Sequence, residues 1–336
     1  MHCYINDVGI LMVGHEGMVS SLSPISLLIG LPTLYPLSPS SDHALRPNFG
    51  IMSPTTDSDN YRQGYSSYTT ATHERRTVES SAAFLIPYIK KTDHILDIGC
   101  GPGTITTGFA KYAPEGIIVG LDMSVDVLER ARKLATEASV PTDGPGGVRF
   151  EQGNVLETLP YSDDTFDIVY CSQVLGHMPP PDLPRRALTE MRRVLKPGGI
   201  LASRDAVSSM FHPRSIGLDR LWSGNLNRVL RQGAPADVED TGVSLPAFYR
   251  SVGFDADRGK IRIGAGSMVV SDPETRKWFA WRTAGQLKPE DSFYQSWLSA
   301  GIFEEEIQET VRAVNKWAET EDAWFAALQC EMLAWK

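Results

Sequence analysis

The stretch ILDIGCGPGTIT, Ile95 to Thr106, decides how this chain is read. A short apolar run ends in three glycines at alternate positions, Gly99, Gly101 and Gly103. Lacking Cβ, such residues let the backbone turn tightly and come into contact with a ligand. A dinucleotide loop, G-x-G-x-x-G, would place its third glycine at position 104, where Thr104 stands. The spacing argues against a pyrophosphate loop, and with it against a hydride-transferring dehydrogenase. A tight structural turn explains three glycines as well, so the flanking sequence has to decide.

Outward from the loop, helix-like and strand-like segments alternate. Val78, Ala82, Leu85 and Ile89 recur at helical spacing and predict a helix that feeds a first strand, HILDIG. GIIVGLD is the second strand, and Ser124 caps a helix carrying Val127, Leu128, Ala131 and Leu134 on one side. VRFEQG follows the turn signals of PTDGPGG as the third strand, and FDIVYCS is the fourth. Leu188, Met191 and Leu195 form a helical stripe ending at KPGG, before ILASRD as the fifth strand. Strands separated by helices pair in parallel through right-handed crossovers, which predicts an α/β, doubly wound sheet with ligands at the strand C-termini. GKIRIGAG fits a sixth strand, and the alternation in WFAALQCEMLAW a seventh. Helical sequence separates them, with Phe303, Ile307, Val311, Val314 and Trp317 on one stripe behind an acidic start.

At 336 residues, 42% hydrophobic and 22% charged, the chain can bury a substantial core. A net charge of -9 repels a phosphate backbone and no basic patch offsets it, so no nucleic-acid partner is expected. Cys3, Cys100, Cys171 and Cys330 lack C-x-x-C spacing. They read as reduced thiols of a cytoplasmic protein, with no metal site. The apolar stretch VSSLSPISLLIGLPTLYPLSPSS is interrupted by Pro24, Pro32, Pro36 and Pro39, and no Lys or Arg precedes Arg46. Neither a membrane span of ~20 apolar residues nor a signal peptide fits. Residues 1–55 therefore read as a poorly ordered N-terminal extension, with Met52 as an alternative start.

Four motifs stand in a recognisable order. They are DIGCGPG, Asp122 lying 23 positions beyond Gly99, EQGNVLETLPYSDDTFDIVYCSQVLGHM, and EMRRVLKPGGIL. From about Arg76 to Asp205 the chain resembles the type 11 domain of the class I S-adenosylmethionine-dependent methyltransferases. The flanks HERRTVESSAAFL and EDAWFAALQCEMLAWK are similar to small-molecule methyltransferases of fungi and actinobacteria. The resemblance implies a seven-stranded Rossmann-like sheet formed by residues 56–271 with 321–336, and a helical cap, 272–320, inserted between the last two strands. It implies S-adenosylmethionine as cofactor, on a loop containing Asp97, Gly99, Cys100, Gly101 and Gly103, with the ribose on Asp122. Met123 and Val155 would flank the adenine. Asn154 stands where the family usually has an acid and would meet the adenine amino group through its side-chain oxygen. Gln173 joins this set, and Tyr65, Tyr68 and Arg76 resemble the family's N-terminal lid over the cofactor's carboxylate. The lesser alternative for Asp122 is a helix cap beside Ser124, and Met123 and Val155 read equally as core.

The activity so implied is methyl transfer to an O or N atom of a small aromatic or apolar metabolite, in secondary metabolism. Trp278, Phe279, Trp281, Phe293, Tyr294 and Trp297 would either face a flat substrate or fill the cap's own core. An acceptor that must lose a proton needs a base, for which His177, Asp205 and His73 are the candidates. A regulatory or non-methylating cofactor binder and a protein methyltransferase stay open. So do the acceptor atom and the oligomeric state.

Overall fold

The computed structural model describes residues 61–255 and 259–336; the N-terminal extension and the alternative start at Met52 lie outside the described residues. Seven strands form one sheet: β1 (Ile95–Ile98), β2 (Ile117–Asp122), β3 (Gly147–Gln152), β4 (Phe166–Ser172), β5 (Leu195–His212), β6 (Ile261–Val270) and β7 (Trp324–Trp335). Their order is β3-β2-β1-β4-β5-β7-β6, with β7 antiparallel to both neighbours. Among the described residues ten α-helices accompany them: α1 (Ser67–Glu74), α2 (Val78–Ser81), α3 (Thr104–Phe109), α4 (Val125–Glu137), α5 (Asp182–Val194), α6 (Asn225–Leu230), α7 (Thr241–Ser251), α8 (Pro273–Gln286), α9 (Ser292–Ser299) and α10 (Glu304–Glu319).

Every residue of β1 is buried, because helices cover both faces of a parallel sheet. The pleat sorts its side chains between two cores. Ile95, with Ile118, Ile168 and Ile200, packs against Phe109, Leu128 and Ala131. Leu96 and Ile98, with Val119, Val169 and Leu201, join Leu188, Met191, Leu245 and Phe248 on the other side.

Three local expectations change. The helix over Val78–Ile89 is broken into α2 and a 3₁₀ turn at Ile86–Tyr88. Pro87 has no N–H to continue an i→i−4 ladder, although Val78, Ala82 and Leu85 are all buried as a helical stripe would place them. Leu195 lies in β5 rather than at the end of α5, opposite Phe166. β5 and β6 also run further than their apolar runs suggested, whereas β7 spans the twelve residues of WFAALQCEMLAW as expected. β4 stops pairing with β5 at Arg204, so from Asp205 to His212 β5 has β7 as its partner.

On that extension sits a third core. Phe211, Phe325 and Val270 from the strands meet Phe279, Phe293, Trp297, Val314 and Trp317 from α8, α9 and α10. This helical layer is not made from one insertion. The segment Arg214–Leu230, between β5 and α7, adds Leu221, Trp222 and Val229. Trp297 is fully buried, and the Trp317 indole Nε1 donates to His212 O at 2.9 Å. Trp281 instead points outward and is 51% exposed. Cys100, Cys171 and Cys330 are buried free thiols, and Cys3 lies outside the described residues. Among the described residues no helix is long and apolar enough to cross a membrane, and no cluster of three or more His, Cys, Asp or Glu could hold a metal.

Candidate active site

A cavity of about 210 Å³ opens at the C-terminal ends of β1, β2 and β4. At its floor the loop after β1 is held by β2: Gly99 N and Cys100 N donate to Leu121 O at 2.7 and 3.0 Å. The Asp122 carboxylate bridges two segments, accepting from Gly101 N at 2.9 Å through Oδ2 and from Ser124 N at 3.0 Å through Oδ1. Burial pushes its pKa up against these hydrogen bonds and one from the Tyr65 side chain. The helix cap itself is Ser124, whose hydroxyl accepts from Val127 N at 3.4 Å.

The glycines divide between two roles. A Cβ on Gly101 would meet nothing nearer than His73 Nδ1 at 3.8 Å, so that position opens onto the cavity. A Cβ on Gly103 would lie 2.6 Å from Phe150 and 2.8 Å from Ala131, at φ +76°. Gly103 also does not line the cavity, whereas Gly99, Cys100 and Gly101 do. Its assignment to the cofactor is therefore corrected: Gly103 lets the start of α3 pack on β3 and α4.

Asp97, Met123, Asn154, Val155 and Gln173 line the same floor. Asp97 accepts the Thr106 hydroxyl at 2.6 Å, and burial still pushes its carboxyl up to about 7. The Asn154 side-chain oxygen accepts from Leu156 N at 3.0 Å. It thus folds its own loop, with one lone pair left for a ligand. Gln173 has φ +57°, a sparsely populated region for a non-glycine residue, and its amide bonds to Gln329. Such strain, next to a cavity, persists when the surroundings over-determine it.

The opposite end is assembled from distant segments. Tyr61, Tyr65, His73 and Arg76 come from the entry segment, and Val174, His177 and Met178 from the turn after β4. The rings of Tyr61 and His177 stand edge to face at 5.1 Å, and Tyr61 and Tyr65 are 5.0 Å apart. Burial, then the charge of Arg76, depresses the His177 pKa to about 4; burial, Arg76, Arg282 and His177 depress that of His73. Both imidazoles are neutral at pH 7. Burial lifts the Tyr61 phenol to about 12 despite Arg76 and Arg282 nearby.

The entry segment is tied to the helical layer. Arg62 donates to the carbonyls of Val229 and, at 2.8 Å, Gln232, while Ser296 donates to Arg62 O at 2.8 Å. Gln286 donates to the Thr69 hydroxyl at 2.6 Å. Sequence reasoning missed Tyr61 and Arg62, although the aromatic and basic run YRQGY, 61–65, was a signal that could have found them.

Besides Gly103, two expected site residues lie elsewhere. Tyr68 is on the outer side of α1, its ring 5.0 Å from Trp281 and its hydroxyl 2.9 Å from Lys288 Nζ, while its neighbours Thr69 and Thr70 are the buried residues of that helix. Asp205 does not line the cavity; its Oδ1 accepts from Gly176 N at 2.9 Å, which fixes the turn carrying His177. Burial pushes its carboxyl up to about 6. The cap aromatics also miss the cavity: none of Trp278, Phe279, Trp281, Phe293, Tyr294 or Trp297 lines it. Phe279, Phe293 and Trp297 form the layer's own core, and Trp278 lies under the Arg75 guanidinium at 4.7 Å.

Residues 89–233 match a family described as a methyltransferase domain. A probable methyltransferase of Aspergillus luteorubrus is 58% identical over 285 residues, 85% of this chain and 100% of the relative. An uncharacterized methyltransferase of Schizosaccharomyces pombe is 37% identical over 232 residues, 68% of this chain and 79% of the relative. The 27-O-demethylrifamycin SV methyltransferase of Amycolatopsis mediterranei is 34% identical over 149 residues, 44% of this chain and 51% of the relative.

Proposed function

The chain belongs to the class I S-adenosylmethionine-dependent methyltransferases, and from that membership we propose that it methylates an oxygen or nitrogen atom of a small metabolite, as a cytoplasmic enzyme of secondary metabolism. S-adenosylmethionine is the methyl donor. The observation that carries the small-molecule reading is the cavity. It is a space of about 210 Å³, sized for a small molecule, with the glycine loop at one end and two neutral histidines at the other. The actinobacterial relative, by its name, acts on a small metabolite, which points the same way.

The residues fit the donor. The absent Cβ of Gly101 leaves the loop backbone open to contact, and Asp122 stands at that opening as acceptor for the ribose hydroxyls. Met123 and Val155 supply apolar walls for the adenine, while Asp97, Gln173 and Arg76 supply polar groups for the amino-acid end. When bound, the donor supplies a sulfonium methyl that is already a strong electrophile. The protein's work is then to align the acceptor and exclude water.

The His177 imidazole, neutral at pH 7, accepts the proton of an acceptor O–H or N–H. His73 is the alternative acceptor on the facing segment. Asp205 is a positioning residue here, since it holds the turn that presents His177. The test is incubation with labelled donor and a cell extract, followed by mass spectrometry of the product. Label in a small molecule is the expected result; label confined to a protein band would overturn the reading.

A further inference from the structure

We propose that β6 is a self-association edge: two copies of this chain pair β6 with β6 antiparallel, about a two-fold axis at Gly266, and so join their seven-stranded sheets into one. The inference is independent of the methyl-transfer reading, since the cavity lies at the tips of β1, β2 and β4.

The sheet has two edges, β3 and β6, and among the described residues no strand pairs with the outer side of either. They differ in how they are protected. β3 has six residues, with Arg149 and Glu151 among them. β6 has ten, and from Ile263 to Val270 it carries neither a charge nor a proline. Only Val270 of the strand is buried, while Ile263 is 61% and Val269 56% exposed. Leu328 of β7 stands opposite Ser267 on the same face of the pleat as these two, and is 45% exposed. Short length, charge and proline are what keep an edge from accepting another strand, and this stretch of β6 has none of them.

The backbone sets which groups are free to pair. Trp335 N donates to Lys260 O at 3.0 Å, so the even-numbered residues of β6 exchange hydrogen bonds with β7. The odd-numbered ones, Ile263, Ala265, Ser267 and Val269, aim their N–H and C=O groups outward. An antiparallel copy centred on Gly266 sets Ile263 opposite Val269 of the second copy and Ala265 opposite its Ser267, outward groups meeting outward groups as a ladder requires. The exposed apolar side chains then cover each other across the junction. The same register sets Lys260 opposite Asp272 of the second copy, an attraction made twice by the two-fold axis. Moving the register by two residues either way separates Ile263 from Val269. This match of the strand to its own reverse argues for a second copy over an unrelated peptide. Because the axis uses each β6 edge once, pairing closes at two copies.

Sedimentation equilibrium of the full chain tests this. The unsubstituted protein should be a dimer at ~0.1 mM. Ala265→Pro removes an outward N–H and leaves the β6–β7 ladder its donors, so it should weaken the dimer ~tenfold or more, with S-adenosylhomocysteine affinity within twofold of the original. Ile263→Lys, at an exposed position that the fold does not need, should weaken it by a similar factor, and decides the matter should the proline variant misfold. Asp272 caps α8 by accepting from Thr275 N at 2.9 Å, a role asparagine also fills, so Asp272→Asn removes only the charge and should weaken the dimer ~2- to 30-fold. A monomer at the concentration stated would overturn the proposal. So would a dimer that Ile263→Lys leaves intact, which would place the contact on another face, and a dimer lost in Ile263→Lys but indifferent to Asp272→Asn would overturn the register.

Discussion

The two ends of the cavity are built differently. The cofactor end is made by short local segments at the tips of adjacent parallel strands: the loop after β1, Asp122 at the end of β2, and the loop after β3. Backbone amides do much of the holding there, as in Gly101 N to Asp122. At the acceptor end Tyr61, His73 and Arg76 come from the entry segment and His177 from the turn after β4, and the entry segment is kept in place by hydrogen bonds to the helical layer. The contrast teaches that the floor is a property of the sheet, whereas the acceptor end depends on how the helical layer and entry segment dock. The first can be shared across a family while the second varies, since loops and insertions tolerate change that strand tips do not.

If the ends are separable, substitutions should divide their effects. His177→Ala should lower turnover by ~10² to 10⁴ with S-adenosylmethionine affinity unchanged by calorimetry, because general-base assistance is worth about that much. A silent substitution would mean that approach geometry alone suffices. Trp297→Ala should cost ~3 to 5 kcal/mol of stability in denaturant unfolding, since it empties the centre of the layer's core. The half-exposed Trp281→Ala, which gives up only its ring contact with Tyr68, should cost less, ~0.5 to 1.5 kcal/mol. Equal losses for the two would contradict the division between a packed inner face and a half-exposed outer one.

Within the floor, Gly103→Ala should destabilise by ~1 to 3 kcal/mol through overlap with Phe150 and Ala131. Gly101→Ala meets open space, so its stability loss should be confined to the ~1 kcal/mol strain of its φ of +55°. Its cofactor affinity should nevertheless fall, because the added methyl takes the space the cofactor needs, and that of Asp122→Ala should fall by ~tenfold or more, because the ribose loses charge-assisted hydrogen bonds. Gly103→Ala binding normally and Gly101→Ala unfolding would reverse the assignment.

The smallest expected effect is pH-dependent. His177 is held at about 4 against an ordinary 6.5, so between those values the unfolded chain binds a proton that the folded one refuses. Its contribution is fully present above pH 6.5 and is lost as pH falls toward 4. Asp205, raised to about 6, acts in the opposite sense: its contribution is present below the ordinary 3.8 and is lost as pH rises through 6. The comparison must therefore be made between the protein and His177→Gln, and the variant should show the shallower loss of stability from pH 6.5 to 4.5. Parallel curves would show that His177 is not held neutral.

What the sequence determined by itself was what a repeating local pattern can encode. Apolar runs punctuated by Gly, Pro and Asp specify strands and turns, and strand–helix alternation permits one handedness of crossover. Hence the strand sequence, the glycine loop and Asp122 were legible, including β7 from its alternation. Chain order with 3.6-residue spacing could not see Pro87 breaking an otherwise helical stripe, nor the extension of β5 past Arg204, because pairing partners rather than side-chain period set those limits. Nor could it separate Gly101 from Gly103, or Tyr61 from Tyr68. Those residues are alike in chemistry and differ in what stands opposite: open cavity for one of each pair, Phe150 or Trp281 for the other. Arg282 is the extreme case. On a helix it is one more cation, and only the packing of α8 against the Trp222 ring removes it from water. Tertiary structure decides such matters because burial is a relation between distant residues, and no local pattern carries it.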